Sequence, residues 1–432
     1  MRRDTTALFL IFLAMFLIFR LSPVYTLFDS KYEMLFSERL VSQHSLSLDG
    51  QELQTLKAQN PALYQIVPSG DRFYYRFPIG GVVLSAPFVG IAHLFGISSL
   101  DKNGNYNLQR EAGIQKTIAS LVCAASVAVI FVTSRLFLSF GWSLLISLLS
   151  GLCTQIWSTA SRAVWSHTWG VLILALAIWL IARTEAAKSR FHPVLFATCL
   201  SWLYFVRPAF LPSILAATIY VFFRRRADFG ALLITGGAWL TAFMIYSCSV
   251  FHSLLPQIYS PTTFRSSESF WTGLTGTLVS PSRGLLIFLP WIGFLAYLLI
   301  RYRSFARTSL VLLAGAAIAI HILLIAAWFG WRGGHCYGPR LTTDIVPWIA
   351  LLAILGTEAR LKFAGQKPNN RTNEMIEWTV GAVLVLAAAV LNGLGAIWGD
   401  TIRWNMHPNN VDYHEERVWD WRHPQFLGIP PG

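Results

Sequence analysis

The sequence predicts an all-α integral membrane protein with about eleven transmembrane helices. Hydrophobic residues make up 54% of the 432 residues and charged residues only 13%, against about a quarter charged in an ordinary globular protein. Mean hydropathy is +0.51, and the chain contains repeated apolar runs. Because a run of about 20 apolar residues spans the hydrocarbon core as a helix, this composition excludes a soluble multidomain enzyme.

The formal net charge of +13 does not indicate a nucleic-acid-binding protein. The basic residues are scattered between hydrophobic spans, and no basic tract with interleaved aromatic residues could follow a phosphate backbone. Most of them fit the excess of Lys and Arg in cytoplasmic loops. The five cysteines show no CxxC spacing, so neither a zinc site nor a disulfide framework is predicted.

Eleven apolar segments are candidate membrane spans. The first follows Met1-Arg2-Arg3 and has the polarity of a signal peptide, but it lacks a clear cleavage site, so we expect a retained anchor. The two spans that flank Val206-Arg207-Pro208 are short enough to form a broken hairpin. The segments are Ala7–Leu27, Thr117–Ser134, Ser143–Trp157, Thr168–Ala182, Val194–Val206, Phe210–Phe223, Gly230–Phe251, Gly284–Ile300, Ser309–Phe329, Leu341–Gly356 and Ile376–Trp398.

The short connections predict the orientation. Arginine-rich segments recur after even numbers of spans, on the same side as Arg2 and Arg3, and the positive-inside rule makes that side cytoplasmic. These segments are Arg183 to Arg190, Arg224 to Arg226, Arg301 to Arg307 and Arg360 to Arg371. The segments then expected to face outward are Phe28–Lys116, Ser253–Arg283, Gly330–Arg340 and the tail after Gly399.

The first outer segment, residues 28–116, has its own pattern. Ser30-Lys31-Tyr32-Glu33 predicts a capping box that opens an amphipathic helix. Asp49 to Gly70 is polar and predicts a loop. The apolar stretch from Phe77 to Phe95 predicts an interfacial helix, because one more crossing would place the arginine clusters outside. We expect one transmembrane unit over residues 1–398 and an outward-facing tail over residues 399–432.

Polar residues at the predicted outer edge are the candidates for function, since charge at a membrane boundary is costly unless it lines a polar site. Guanidinium groups suit phosphate oxygens, and a carboxylate can accept a proton from a hydroxyl. The set therefore predicts a phosphate-binding site with one base. Its members are Asp29, Arg76, His167, Arg207, Arg283, His335, Tyr337, Arg340 and Asp344.

Four of the segments around these residues carry a resemblance to a known family. They are Phe28-Asp29-Ser30-Lys31-Tyr32, Tyr75-Arg76-Phe77-Pro78-Ile79-Gly80, Ser280-Pro281-Ser282-Arg283-Gly284-Leu285 and Gly333-Gly334-His335-Cys336-Tyr337-Gly338-Pro339-Arg340. They resemble the GT-C membrane glycosyltransferases, in particular the bacterial protein mannosyltransferase and aminoarabinose transferase group. The resemblance extends from the first helix to about Pro347.

This resemblance implies a GT-C fold in the bacterial plasma membrane, with the active site facing outward. The expected enzyme transfers a sugar from a polyprenyl-phosphate carrier to a glycan, lipid or protein acceptor. Asp29 is the expected catalytic base. The expected substrate-binding residues are Arg76, His167, Arg207, Arg283, His335, Tyr337 and Arg340.

The sequence departs from the family at one point. Relatives commonly carry an adjacent Asp-Glu pair in the first outer loop, whereas Ser30 follows Asp29 here and Glu33 lies one helical turn away. No metal ligand is therefore assigned, although a divalent metal stays an alternative.

Each candidate also has a structural interpretation. Asp29 could cap a helix, Arg76 could anchor in lipid headgroups, and His167 could be a hydrogen-bonded structural histidine. His335 and Tyr337 could brace their loop.

The alternative function is a transporter or flippase for a lipid-linked or anionic solute, since broken apolar spans occur in transporters too. A binding or scaffold protein is a weaker alternative.

Overall fold

The computed structural model describes residues 2–60, 63–186, 189–259, 269–366 and 371–429. Within these ranges the protein is helical apart from one small sheet. The helices are α1 (Arg2–Leu21), α2 (Glu33–Gln43), α3 (Gly50–Gln59), α4 (Ile79–Leu94), α5 (Leu108–Ser134), α6 (Phe140–Leu152), α7 (Ser166–Glu185), α8 (Pro193–Val206), α9 (Leu211–Arg224), α10 (Arg226–Phe251), α11 (Phe270–Val279), α12 (Leu285–Phe288), α13 (Trp291–Arg301), α14 (Thr308–Ala327), α15 (Val346–Gln366), α16 (Arg371–Ile397) and α17 (Asp400–Arg403).

Every one of the eleven predicted spans overlaps one of these helices. In the described part of the chain, seven helices are long and apolar enough to cross a membrane: α1, α5, α7, α10, α14, α16, and α15 together with the turn before it. Helices α4, α6, α8, α9 and α13 are apolar but shorter. The chain is thus an all-α polytopic membrane protein, while the count of eleven spans stays a prediction.

The capping box predicted at Ser30 and Glu33 is wrong. Tyr32 precedes α2 with a φ of 72°, and its side chain makes no capping hydrogen bond. The backbone N–H groups at the start of α2 have no partner within the helix. They bind the Glu111 carboxylate of α5 instead, which accepts from Tyr32 N and Met34 N, each at 3.1 Å. A buried carboxylate that is distant in sequence has therefore replaced the local cap.

The segment predicted as a loop from Asp49 to Gly70 contains a helix and a strand. Asp49 and Glu52 form a capping box at the start of α3, each accepting the other's backbone N–H. The strands are β1 (Ser47–Leu48), β2 (Ile66–Ser69) and β3 (Arg72–Tyr75), antiparallel, with β3 in the centre. Strands of two to four residues are too short to show a period-two pattern in the sequence.

Helix α4 attaches this outer layer to the helical bundle at two glycines. A side chain at Gly80 would meet the backbone of Phe205 in α8 at 2.6 Å, and one at Gly81 would meet the Glu33 carboxylate. Only residues without a Cβ permit this approach. The first outer segment is thus held directly against the helices whose ends form the site described below.

The two ends of the helical bundle carry different sets of ionic contacts. At one end, Glu185 at the close of α7 pairs with Arg225, and Arg307 pairs with Glu358 of α15. At the other end, His167 at the start of α7 contacts Asp344 just before α15.

The rise of an α-helix puts about 27 Å between His167 and Glu185, which lie near the two ends of α7. Groups that the sequence predicts to be cytoplasmic therefore meet at one end, and groups that it predicts to face outward meet at the other. Parts of three predicted connections (residues 187–188, 260–268 and 367–370) lie outside the described residues.

Reporter fusions test the predicted topology. A fusion at Arg226 is expected to report the cytoplasm and one at Pro408 the outer face, because an odd number of spans separates the N-terminus from the tail. Alkaline phosphatase and a fluorescent protein, each active on one side only, provide the readout. Both fusions on the same side would contradict eleven spans.

Candidate functional site

The chain segment that leads from α1 to Asp29 is held by one buried arginine. Arg162 follows the π-helical turn Ile156–Ala160 and is fully buried. It donates to the carbonyls of Phe19 at 2.7 Å, Ser22 at 3.2 Å and Val24 at 3.4 Å. The last carbonyls of a helix lack partners within the helix, so Arg162 fixes the direction in which the chain leaves α1.

Asp29 lies at the end of this segment, at the junction of two networks. Its Oδ2 is 3.0 Å from Nη1 of Arg340, and its Oδ1 accepts from the Tyr64 hydroxyl at 3.2 Å. The Tyr75 hydroxyl donates to the backbone oxygen of Asp29 at 2.7 Å. Burial, and then the Asp29 carboxylate, raise the pKa of Tyr64, so its hydroxyl stays a donor. The carboxylate is oriented on both oxygens, yet its side chain is 35% exposed.

Arg340 is presented by the loop that precedes α15. Gly333, Gly334 and Gly338 have φ values of 76°, 62° and 58°, which other residues rarely adopt. The chain then enters a 3-10 helix, Arg340–Ile345, that leads into α15. Glycine at these three positions thus allows the backbone conformation that directs the chain into this 3-10 helix.

The guanidinium of Arg340 is held beside Asp29 and still has an unused donor. It stacks on the Trp165 ring at 4.4 Å, and the Trp165 indole N–H donates to the Thr26 hydroxyl at 2.9 Å. The Nε of Arg340 is buried without a hydrogen-bond partner among the described residues. A buried charged donor without an acceptor is costly, and an anion bound here would satisfy it.

A second network lies one turn further along the same 3-10 helix. The fully buried Asp344 carboxylate is 2.7 Å from Nδ1 of His167 and accepts from Nε of Arg207 at 2.8 Å. Nε2 of His321 is 3.8 Å from the same carboxylate. Arg207 also donates to the Ser166 hydroxyl at 2.9 Å and keeps 19% of its side chain exposed. His167 and Arg207, far apart in the sequence, are therefore brought together by Asp344.

The structure does not bring Arg283 to the Asp29 carboxylate. Arg283 is buried, and its nitrogens donate to five oxygens of the protein. These are the carbonyls of Ser282, Arg332 and Gly334 and the side-chain oxygens of Asn405 and Gln425. Its donors are used to fasten the last loop to the C-terminal tail, so the geometry favours a bracing role over the predicted phosphate binding.

His335 and Tyr337 have structural partners too. Nε2 of His335 is 2.8 Å from Oδ1 of Asn410 in the tail, and its ring packs edge-on against Phe28, next to Asp29. Tyr337 is buried, and its hydroxyl donates to the carbonyl of Leu391 in α16. His335 thus borders the site, whereas Tyr337 anchors the loop in the core.

Arg76 lies on the opposite side of Tyr64 from Asp29. It is exposed, with Nη1 at 3.5 Å from the backbone oxygen of Tyr64. It borders a cleft of about 550 Å³ between β2, β3 and the chain that follows α10. Arg76 therefore lies next to Tyr64, whose hydroxyl binds Asp29, whereas Arg340 contacts Asp29 directly.

Glu33 does not supply a second carboxylate to Asp29. It is buried under α4, where Gly81 leaves room for it, and its Oε1 has no hydrogen-bond partner among the described residues. Burial, and then the neighbouring Glu111 carboxylate, raise its pKa well above the ordinary value of 4.5. No group of three or more His, Cys, Asp or Glu side chains in the described part of the chain could hold a metal ion.

Sequence reasoning missed several residues that build this site. Tyr64 and Gln425 carry no signal in the sequence, because their importance depends on contacts with distant segments. Arg162 and Glu111 do carry one, since a charged residue within an apolar stretch needs a buried partner.

Comparisons with known proteins leave the family open. No protein-family model matches the chain, and no curated protein sequence matches it. The chain is similar to the crystal structure of the Archaeoglobus fulgidus oligosaccharyltransferase in the apo form, with a TM-score of 0.41 and 12% sequence identity. The similarity covers 97% of this chain and 60% of that one, so the chain spans about three fifths of the archaeal protein.

The buried Glu33 predicts a pH dependence of stability. Its pKa is raised in the folded protein, so its contribution to stability is complete below the ordinary value of 4.5 and is lost as the pH rises through the higher folded value. Glu33→Gln has no proton to lose. Between about pH 5 and pH 8 the melting temperature of the detergent-solubilised variant is expected to fall less than that of the parent.

Glu416→Gln is the matched control, because Glu416 is exposed and its own backbone N–H lowers its pKa, so it stays ionised throughout this window. Parallel melting curves for Glu33→Gln and the parent over the whole range would contradict a buried, protonated Glu33.

Proposed function

We propose that this protein is a glycosyltransferase that moves a sugar from a polyprenyl-phosphate carrier to an acceptor hydroxyl on the outer face of the membrane. The observation that carries the proposal is the partly exposed Asp29 carboxylate, held between Arg340 and Tyr64 where several helix ends meet. A base that is reachable by substrate and oriented on both oxygens, beside a cation with an unused donor, suits transfer from a phosphate leaving group.

Asp29 would accept the proton of the acceptor hydroxyl. The acceptor oxygen then forms a bond to the anomeric carbon of the donor sugar, while the bond from that carbon to the phosphate oxygen breaks. The bonding electrons leave with polyprenyl phosphate, and the configuration at the anomeric carbon is inverted. Tyr64 would hold one carboxylate oxygen by its hydroxyl, so that the base faces the acceptor in a fixed direction.

Arg340 would stabilise the departing phosphate. In the free protein Nη1 of Arg340 is paired with Asp29 and its Nε has no partner in the described part of the chain. A donor phosphate that accepts from Nε would satisfy this buried group and draw positive charge away from Asp29. That change makes the carboxylate a better base when the donor is bound.

Arg207 is the second candidate for the donor phosphate. Asp344 and Ser166 fix two of its nitrogens, and part of the side chain is exposed. His167 acts on the same carboxylate and is a positioning residue in this proposal. Arg76 lies next to Tyr64, and Arg283 braces the loop from which Arg340 is presented.

The position of the site supports an outward-facing enzyme. The ionic contacts place Asp29, Arg340 and Arg207 at the opposite end of the bundle from the predicted cytoplasmic arginines. A lipid-linked donor in the outer leaflet would reach this end from the surrounding membrane, so a multi-pass protein of the bacterial plasma membrane is the expected setting.

A transporter or flippase is the alternative. A transporter would carry its polar residues near mid-membrane, whereas these gather at helix ends. The two functions differ in product: purified protein in detergent, given polyprenyl-phosphate sugar and acceptor, releases polyprenyl phosphate only if it is an enzyme. A transporter needs two compartments and changes no covalent bond.

Asp29→Asn tests the base. The amide keeps the size of the side chain but cannot take a proton, so we expect a loss of transfer of about 100-fold or more in a protein that still inserts and melts like the parent. Release of polyprenyl phosphate is the measurement. Asp71→Asn, at an exposed carboxylate in the same outer segment, is the matched control. Transfer by Asp29→Asn at the parental rate would remove Asp29 from the mechanism.

Arg340→Lys tests the phosphate contact. Lysine keeps the charge but loses the planar fork of the guanidinium. Donor turnover is therefore expected to fall, while the melting temperature stays close to that of the parent. Donor turnover by Arg340→Ala is expected to be lower still, because alanine removes the charge as well. Arg403→Lys, at an exposed arginine of the tail, is the control for charge-conserving change. If Arg340→Lys and Arg340→Ala both consume donor like the parent, the loop is scaffolding only.

A further inference from the structure

The cleft beside Arg76 is lined by neither Arg340 nor Arg207, the two residues proposed to hold the donor phosphate. Its volume is about 550 Å³, within the range of about 300–1,000 Å³ that is typical of small-molecule sites. Its walls come from β2, β3, the end of α10 and residues 253–259, all of which belong to segments at the outer end of the bundle. Aromatic rings line much of it, namely those of Tyr75, Phe77, Tyr246, Phe251 and Tyr259.

The cleft is connected to Asp29 through two of its lining residues, Tyr75 and Phe77. Tyr75 lines the cleft with its ring and donates its hydroxyl to the backbone oxygen of Asp29 at 2.7 Å. Phe77 packs against Tyr75 at 5.7 Å and against Tyr64 at 6.1 Å between ring centroids. Tyr64 binds Oδ1 of Asp29 whereas Arg340 binds Oδ2, so the contact between Phe77 and Tyr64 connects the wall of the cleft with the carboxylate oxygen that carries no ion pair.

The walls of the cleft are held in place by the surrounding structure. The Ser69 hydroxyl at the end of β2 donates to the Val250 carbonyl of α10, joining the sheet to that helix. The Tyr259 hydroxyl donates to the Phe205 carbonyl at 2.7 Å. Phe205 stacks on Phe243 at 4.8 Å. The cleft is therefore formed before any ligand arrives, which lowers the entropic cost of binding.

The chemistry of the lining defines a class of ligand. Arg76 is the one charged side chain among the described lining residues, and no carboxylate faces it there. Ser69, Ser253 and Gln257 add hydroxyl and amide groups beside the rings. A sugar ring presents an apolar C–H face that stacks on aromatic side chains and hydroxyls that bond to polar ones, and an acidic substituent would pair with the guanidinium.

We propose that this cleft binds the acceptor and that the acceptor is an oligosaccharide with an acidic group. The inference rests on the proposed function, because it assigns the second substrate of that reaction. Bound there, the acceptor hydroxyl approaches Oδ1 of Asp29 while the donor phosphate is held by Arg340 on the other side. The two substrates thus enter the site from opposite sides of one carboxylate.

Equilibrium binding tests the cleft without any transfer reaction. Purified full-length protein in detergent is titrated with tetragalacturonate, which carries a carboxylate on each sugar, and with neutral maltotetraose. We expect tetragalacturonate to bind about tenfold more tightly, because a hydrogen bond to a charged group is worth that ratio. Arg76→Gln is expected to abolish the preference. Absence of binding by both glycans at millimolar concentration would overturn the proposal.

Phe251→Leu tests whether the cleft binds a sugar or a lipid chain. Leucine keeps an apolar wall but removes the ring, so both glycans are expected to bind about two- to tenfold more weakly. Trp421→Leu, at an exposed ring of the tail, is the matched control and should bind like the parent. If polyprenyl phosphate in micelles displaces the glycan and Phe251→Leu leaves that displacement unchanged, the cleft holds the lipid and the proposal is overturned.

The experiments distinguish an error in the proposed acceptor site from an error in the proposed glycosyltransferase function. Asp29→Asn is expected to keep glycan binding while losing transfer. Glycan binding that responds to Arg76→Gln and Phe251→Leu, in a protein that releases no polyprenyl phosphate, would support the cleft and reject the transferase. Transfer with an acceptor KM that is unchanged by both cleft substitutions would support the transferase and reject the cleft.

Discussion

The salt bridge between Asp29 and Arg340 is the contact on which the site depends, because it joins positions 311 residues apart. One partner follows the first helix of the chain, and the other precedes the last-but-one long helix. Neither position is held by the bridge alone. Arg162 fixes the chain that carries Asp29, and the positive-φ glycines fix the loop that carries Arg340. The 3.0 Å bridge therefore depends on the packing that brings these two chain segments together.

The C-terminal tail is part of the site's framework. Gln425 is fully buried and donates to the carbonyls of Cys336 and Thr401, while its oxygen accepts from the Gly338 N–H. Asn405 donates to the Cys336 carbonyl as well. The last loop has little regular structure, so its backbone groups need these side-chain partners when it is buried. A tail that is rich in aromatic and charged residues thus closes over the loop and makes its turn rigid.

Burial separates the two acidic groups near Arg340 into different roles. Asp344 is enclosed, with His167 and Arg207 on its two oxygens, and removing one partner of such a network leaves an uncompensated charge. Asp29 is partly exposed, so water and substrate can reach it. The 3-10 helix from Arg340 to Ile345 holds both networks at fixed spacing. A rigid, buried network beside an accessible carboxylate is the arrangement that a site needs when it must orient a base and hold an anion.

The sequence by itself determined the membrane-protein class and the positions of the apolar helices, because hydrophobic length is a local property. It also marked Asp29, Arg207 and Arg340 as candidates for the site, because charge at a helix end is local as well. It could not determine which arginines share a site. Arg283 and Arg340 occur in similar glycine-containing contexts, yet packing directs Arg283 to Gln425 and Asn405 and directs Arg340 to Asp29. The capping role of Glu111, the contact between Tyr64 and Asp29 and the cleft beside Arg76 were likewise decided by the tertiary structure. Each depends on segments that are distant in sequence, and side-chain packing between helices sets those distances.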